Sequence, residues 1–476
     1  VDGDYMAQWR SALKGIDTQG DNRVEVNLSG GIYTGINSFD IKDQQSVNEY
    51  GWDTDEFYPA KSTAKSPVAY GASGGSITNL LTSLGSKHLV RAVGTKLQYD
   101  ASGTWTDITG TFSSIPWGAT NFDVKGPALL LTNGTDPVKH WNGTALADLT
   151  GAPKGKVIAA DNLRVFISDV ATDEAQDHVH YCAFQDAKDW TTAENSGIVQ
   201  YYTASGGAVT AMISFGGQIW VFKKDSFALI YHTGDARAFY RLVPASENIG
   251  CVAPRTLVDI GETLCWLGMD DVYIGAAGSA SRIGEPIRMF LSRINQTYIN
   301  KCNAFTDGLR YYLNLVIDSA ITPNIRISYD TRFKIWSVCA LDEGYLQGVT
   351  FNNSIYAGNT TGQTYKLNAA PTTGAFMVET KDFDRSEAEK EYNELHQQIY
   401  TPTGTTLTVQ ASVDQGTTWF TFGEPITASA SAQNQNLIIP LDTLPLGYWV
   451  RFRFSGTGSF RLYSFERYFR LHPVQH

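Results

Sequence analysis

Apolar and polar residues alternate in short runs along most of this chain, and the runs are punctuated by Gly, Asn, Asp and Ser. Alternation with a period of two marks half-buried strands, and turn residues between such runs mark hairpins. From His88 onward the runs come in pairs. His88–Val93 precedes Lys96–Tyr99, Ala128–Leu131 precedes Val138–Trp141, and Leu163–Ile167 precedes Val179–Ala183. Gln218–Phe222 and Phe227–Tyr231 flank a polar Lys-Lys-Asp-Ser turn, and Thr263–Leu267 is followed by Asp271–Ile274. Arg310–Val316 with Ile325–Tyr329, and Ser354–Ala357 with Gln363–Leu367, bring the tally to about seven hairpins. Hairpin units recurring every ~40–50 residues predict an all-β chain built as a β-propeller of about seven blades.

A turn ending in tryptophan recurs within this pattern. Asp100 precedes Trp105, Asp186 precedes Trp190, and Asp330 precedes Trp336. Ser412, Asp414, Gly416 and Trp419 form the fullest copy, Ser-x-Asp-x-Gly-x-Thr-Trp. Asp bonds its own backbone in a tight turn, Gly accepts positive φ, and Trp gives the next strand a large apolar body. The full copy resembles the Asp-box of sialidases and other propellers, which folds a hairpin away from catalysis. All ten of these residues are therefore assigned a structural role.

The pattern changes at both ends. Residues 1–85 are polar and Gly/Ser-rich with weak periodicity, which predicts an extended arm with a few short strands that packs on the propeller or on a neighbouring subunit or tail component, with contact to the neighbour expected to exceed contact to its own propeller. Residues 86–384 carry the propeller. Residues 385–476 contain Thr406–Val413, Leu437–Leu441 and Tyr448–Phe454, three strand-like runs that predict a separate β-sandwich. The Glu/Lys content of Arg385–Gln398 also permits a helix there.

Composition narrows the function. The 476 residues carry a formal net charge of −11 and no long basic run, which argues against a domain that grips nucleic acid. Five scattered cysteines with no Cys-x-x-Cys pair fit reduced, buried thiols made in a reducing cytoplasm. No apolar run reaches the ~18–20 residues of a membrane span, and Val1–Tyr5 lacks the regions of an export signal. Asn-x-Ser/Thr triplets begin at Asn27, Asn133, Asn142, Asn295, Asn352 and Asn359, where β-turn use is the expectation.

Candidate chemistry is sparse. His178 and His180 share one face of a strand near Asp173, Glu174 and Asp177, and are the candidate metal pair. No third ligand at a fixed spacing accompanies them, so no metal is assigned. Asp270–Asp271 is a turn without a Ca²⁺-loop pattern. Gly71-Ala72-Ser73-Gly74-Gly75 matches a nucleophile elbow but lacks the strand–helix frame that an elbow needs. No nucleotide loop, cofactor motif or catalytic constellation is present, and the chain is expected not to be an enzyme.

A further set of segments runs through the middle of the chain: Asp189–Ala193, Gly207–Met212, Gly217–Ser226, Ile249–Arg255 and Leu267–Tyr273. Together they resemble a group of β-propeller virion proteins of short-tailed bacteriophages, which includes nozzle, tail accessory and head-to-tail stabilisation proteins. The resemblance covers residues 88–384, and the N-terminal arm has no counterpart in it. It implies a homo-oligomeric ring, usually hexameric, in the virion tail below the portal. The portal or adaptor and other tail proteins would be its neighbours, and genomic DNA would pass through without specific binding. An acidic lumen suits that role by repelling phosphate. The alternative is a carbohydrate-binding or sialidase-like propeller, which requires acidic residues and arginine gathered in one pocket.

Overall fold

The computed structural model describes residues 22–472, apart from 55–56, 124–125, 162, 193–194, 236–237 and 428–432. The fold is all-β. Seven four-stranded antiparallel sheets follow one another, spanning 78–108, 118–148, 155–200, 211–246, 258–282, 303–341 and 345–370. We number them sheets 1 to 7. The first six are meanders of consecutive strands, whereas the fourth strand of sheet 7 is Ser66–Tyr70, from the N-terminal region.

The seven hairpins expected from the sequence are the second and third strands of these seven sheets. Those strands are sandwiched between neighbouring sheets and bury both faces, as in Leu129–Thr132 and Leu264–Leu267, where every residue is buried. Fourth strands such as Gly197–Gln200 and Ser279–Arg282 are only four residues long and have no buried residue, so the apolar pattern does not reveal them.

Each pair of neighbouring sheets encloses its own apolar cluster. Leu97 and Leu129 meet between sheets 1 and 2, and Trp220 and Trp266 between sheets 4 and 5. Leu81 and Leu89 of sheet 1 meet Tyr356 of sheet 7, so the last sheet packs on the first and the set closes. This closed succession of four-stranded sheets is the arrangement of a β-propeller. Arg91 bolts the closure. Its buried guanidinium donates to Gly362 O at 2.9 Å, Thr364 Oγ1 at 3.1 Å and Ala72 O at 3.0 Å, and lies 4.0 Å from the Trp105 ring centre. Burial outweighs the pull of the Asp107 carboxylate and lowers its pKa to about 10.

Two larger sheets form the remaining body. One joins Trp52–Asp53, Lys61–Thr63, Arg461–Leu471, Lys390–Thr401 and Gln433–Pro440, with Asn22–Val26 also paired to Arg461–Leu471. The other orders Ser46–Tyr50, Ala375–Thr380, Arg451–Thr457, Thr406–Ser412 and Phe420–Thr427. Trp52, Phe376, Phe452, Phe454, Phe465 and Phe469 lie in the core these sheets share.

Three expectations are corrected here. Residues 22–84 are not an extended arm but integral strands, and of the two expected docking places it is their own chain that holds them: they are built into the double-sheet body, into sheet 7 and, as Thr78–Leu84, into sheet 1. Their short strands gave too few repeats for a visible period. Residues 1–21 lie outside the described residues. The expected boundary near 385 is crossed by Ala375–Thr380, which pairs with Arg451–Thr457. The helix permitted over Arg385–Gln398 is also absent: Lys390–Thr401 is a twelve-residue strand. A register shift between Tyr392 and Glu394 slips the alternation by one residue, so buried Tyr392, Leu395 and Ile399 fall at helix-like spacing.

Candidate functional site

The Trp-ended turns of the propeller occupy equivalent places. Asp100 and Trp105, Asp186 and Trp190, and Asp330 and Trp336 all lie in connections between the third and fourth strands of their sheets, 1, 3 and 6. Asp100 Oδ1 accepts from Gly103 N at 2.7 Å, and Asp330 Oδ1 from Arg332 N at 3.0 Å. Lys188 N donates to Asp186 Oδ1 at 3.0 Å. Trp336 is buried and donates to Ile283 O at 2.7 Å, whereas Trp105 and Trp190 are half-buried. The fullest copy lies elsewhere, in the double-sheet body, between Thr406–Ser412 and Phe420–Thr427. There Ser412 Oγ donates to Asp414 Oδ1 at 2.7 Å and accepts from Gly416 N at 2.9 Å, while Arg453 stacks 3.8 Å from the Trp419 ring centre.

The seam between body and propeller leaves no mark in the apolar pattern. A cleft of about 450 Å³ opens there, lined by Asp53, Lys65, Asp307, Arg310, Lys366 and Asn368 among others. Asp53 Oδ2 accepts from Arg310 Nη1 and Tyr312 OH, each at 3.0 Å, and its Oδ1 accepts from Ser328 Oγ at 2.8 Å. Burial opposes the charge on Arg310, but Asp53, Tyr312, Asp307 and Asp330 outweigh it and hold its pKa above the ordinary value. Both oxygens of Asp53 are thus engaged, which leaves no free base. Nearby, Glu49 is fully enclosed: Lys61 Nζ lies 2.6 Å away, Ser46 Oγ donates at 2.5 Å, and Val338 N of sheet 6 donates at 3.2 Å. Gly31 completes the seam at φ +69°, with Trp336 O only 2.3 Å from where a Cβ would stand, so a side chain there would collide with backbone. These groups are far apart in sequence, so no local motif announces them.

A second opening of about 350 Å³ lies among the first strands of sheets 5 to 7. Arg255 projects beside it. With the Gln347 amide oxygen turned toward it, that oxygen accepts from Arg255 Nε at 2.7 Å. Burial lowers the Arg255 pKa to about 10.

The tertiary structure brings a carboxylate to the histidine pair. His178 and His180 alternate with buried Val179 on strand His178–Tyr181. Asp173 stands at the head of the short 3-10 turn Glu174–Gln176 without capping it. Its Oδ2 lies 2.8 Å from His180 Nε2, and its Oδ1 lies 3.9 Å from His178 Nδ1. The pair was visible in the sequence; the distance from Asp173 was not.

Several other motifs resolve into turns. Asn133 Oδ1 accepts from Thr135 N at 2.9 Å, Asn142 Oδ1 from Thr144 N at 2.9 Å, and Asn359 Oδ1 from Thr361 N at 3.0 Å. Asp271 Oδ1 accepts from Val272 N at 2.7 Å and Gly284 N at 2.8 Å. Ser73 Oγ donates to Thr361 O at 2.8 Å, in a loop that joins two strands and not a strand to a helix.

No protein-family model matches the chain, and no curated protein matches it. Among solved structures, it is similar to the extracellular domain of the hybrid two component system BT4673 from B. thetaiotaomicron. That likeness has 8% identity and a TM-score of 0.42, covering 78% of this chain and 47% of the other, so this chain spans about half of that protein's length. It is also similar to BamB from Moraxella catarrhalis, with 11% identity and a TM-score of 0.39 over 67% of this chain and 96% of the other. Among the described residues, no helix is long and apolar enough to cross a membrane.

Proposed function

We propose that sheets 1 to 7 are the seven blades of a propeller, that the two larger sheets form a β-sandwich, and that the chain is a structural virion protein of a bacteriophage tail. In this role it is a nozzle or tail accessory protein, made in the host cytoplasm. Copies of it, six on the resemblance, close a ring below the portal and surround the path of ejected DNA. It contacts the portal or adaptor and other tail proteins, and performs no catalysis.

The observation that carries this reading is the seam. Body and propeller are joined by buried groups, with Glu49 of the body bonded to Val338 of sheet 6 and Asp53 to Arg310, Tyr312 and Ser328. Such ties resist hinge motion between the two parts, which suits a wall segment. The formal charge of −11 adds support, since an acidic wall repels phosphate and lets DNA slide.

Cryo-electron microscopy of the particle that contains the chain tests the proposal. The expected result is a symmetric ring below the portal with propellers around an open axis. The isolated protein should bind duplex DNA weakly, with binding lost as salt rises. A free monomer that cleaves sialosides or capsular glycans would overturn the assignment. One observation favours a sugar-binding alternative: Asp53, Asp307 and Arg310 share the seam cleft. Glycan-array binding that is lost in Lys366→Ala would support it.

A further inference from the structure

We propose that Asp173, His178 and His180 form a binding site for one divalent transition-metal ion of the Zn²⁺ class. Their candidate ligand atoms all lie within 4.8 Å of one another. The separations, 2.8 Å from Asp173 Oδ2 to His180 Nε2 and 3.9 Å from Asp173 Oδ1 to His178 Nδ1, fall on either side of the spacing a metal needs. Ligands bonded to Zn²⁺ at ~2.0–2.1 Å in a tetrahedron stand about 3.3 Å apart. Small side-chain rotations therefore bring the three onto one ion without moving the strand.

The local backbone fixes this cluster. Strand alternation turns both imidazoles to the same side, with Val179 buried between them. Asp173 precedes a 3-10 turn, where an aspartate ordinarily caps the backbone, yet its carboxylate makes no cap bond and faces the imidazoles.

Asp177 supplies an independent observation. Its side chain is 2% exposed, Oδ2 lies 3.4 Å from Lys223 Nζ, and Oδ1 has no hydrogen-bond partner. That unpartnered oxygen lies 3.9 Å from His178 Nε2. A buried carboxylate oxygen without a donor is costly. An ion on His178 Nδ1 would place the ring proton on Nε2, the nitrogen 3.9 Å from that oxygen, and a small rotation of either side chain would then let Asp177 accept it. Carboxylate–histidine–metal relays of this kind orient the ligand and raise its basicity. Gln200 Nε2, 3.1 Å from His178 Nε2, sits beside the same nitrogen, and its amide can turn its oxygen to share that proton.

The donor set selects the ion class. Two imidazoles and one carboxylate suit Zn²⁺, Co²⁺ or Ni²⁺, whereas Mg²⁺ and Ca²⁺ prefer all-oxygen shells. The ligand side chains are 12–19% exposed, so an ion can enter from solvent, and water completes the shell. Two further histidine–carboxylate contacts among the described residues, His396 with Glu394 and His472 with Glu391, are ion pairs outside any three-ligand group and serve as internal controls.

The test uses the full chain after dialysis against a chelator. Titration calorimetry with ZnCl₂ should show one ion bound per chain, with no saturable heat from MgCl₂ or CaCl₂. Asp173→Asn, His178→Gln and His180→Gln should each weaken Zn²⁺ binding by more than 100-fold. Asp177→Asn should weaken it about 10–100-fold, and His396→Gln should leave it unchanged. Zn²⁺ should raise the melting temperature of the wild type and not that of Asp173→Asn. Matching melting curves of ion-free variants and ion-free wild type verify that the fold persists. The visible spectrum of a Co²⁺ titration of the wild type reads the ligand set without any substitution. Absence of saturable Zn²⁺ binding by the wild type, wild-type affinity in both histidine variants, or equal binding of Mg²⁺ would each overturn the proposal.

Discussion

The propeller and the double-sheet body are both antiparallel β-structure, yet they are assembled in opposite ways. In sheets 1 to 6 every strand pairs with its neighbour in sequence. In the body Asn22 pairs opposite Phe469, and Ser46 opposite Thr380. Local pairing closes short loops at small entropic cost, whereas pairing across hundreds of residues must be sustained by dense tertiary contacts. The body accordingly has an aromatic core and is tied to the propeller by the enclosed Asp53–Arg310 ion pair and by the Glu49–Val338 hydrogen bond. A repeated module can thus be stabilised piece by piece, but a body built from both chain ends forms only when the whole chain is in place.

The sharpest way to break this arrangement is at the seam. Glu49→Ala leaves Lys61 enclosed without its partner and should cost about 4 kcal/mol. Urea denaturation should show body and propeller both weakened. The double variant Glu49→Leu/Lys61→Met should recover most of that loss, because removing both charges also removes their desolvation cost. Full loss in the double variant would mean that the geometry at Val338, and not the charge pair, holds the seam.

Next in size is Trp336→Ala. The side chain is 1% exposed and its indole N–H is bonded, so the change should cost about 3 kcal/mol. Trp105, Trp190 and Trp419 are half-buried, and their alanine variants should cost about 1–2 kcal/mol each. Equal losses at all four positions would show that the turn motif, and not burial, determines its strength.

The smallest effect distinguishes the two regions by pH. All five cysteines, Cys182 to Cys339, belong to the propeller, and all are buried and free. Burial pushes the thiol of Cys182 up to about 11 and those of Cys251 and Cys302 up to about 12, from an ordinary value of 9.0. Above pH 9 the unfolded thiols lose protons that the folded ones keep, so their contribution is intact below pH 9 and falls as pH climbs toward 12. The urea midpoint should fall between pH 9 and 11, and fall less in Cys251→Ala. At neutral pH a thiol reagent should react with the native protein slowly and with all five thiols after unfolding.

Legibility followed burial. The seven central hairpins were visible because their strands bury both faces and are almost wholly apolar, as in Leu264–Leu267. Ser66–Tyr70 was not, because a short, partly exposed edge strand has no apolar signature and its partner Thr364–Ala370 lies three hundred residues away. Lys390–Thr401 was ambiguous because its Glu/Lys content suits a helix, and the bulge at Tyr392/Glu394 hides the alternation by placing Tyr392, Leu395 and Ile399 at helix-like spacing. His178 and His180 were legible as a pair, since two residues apart on a strand means one face. Asp173 became a third ligand only through the path of the turn before that strand.

The sequence by itself determined the all-β class, the recurring hairpins, the reduced cysteines and the turn chemistry of Asp100, Asp330 and Asp414. These depend on interactions between near neighbours, which alternation and turn composition encode directly. Only the tertiary structure decided that the N-terminal strands complete sheet 7 and the body, that Arg91 fastens the last sheet to the first, and that Glu49 and Asp53 hold the seam. Each of those depends on where distant segments meet. A buried charge finds its partner by spatial proximity under a low dielectric, and no residue spacing along the chain records that distance.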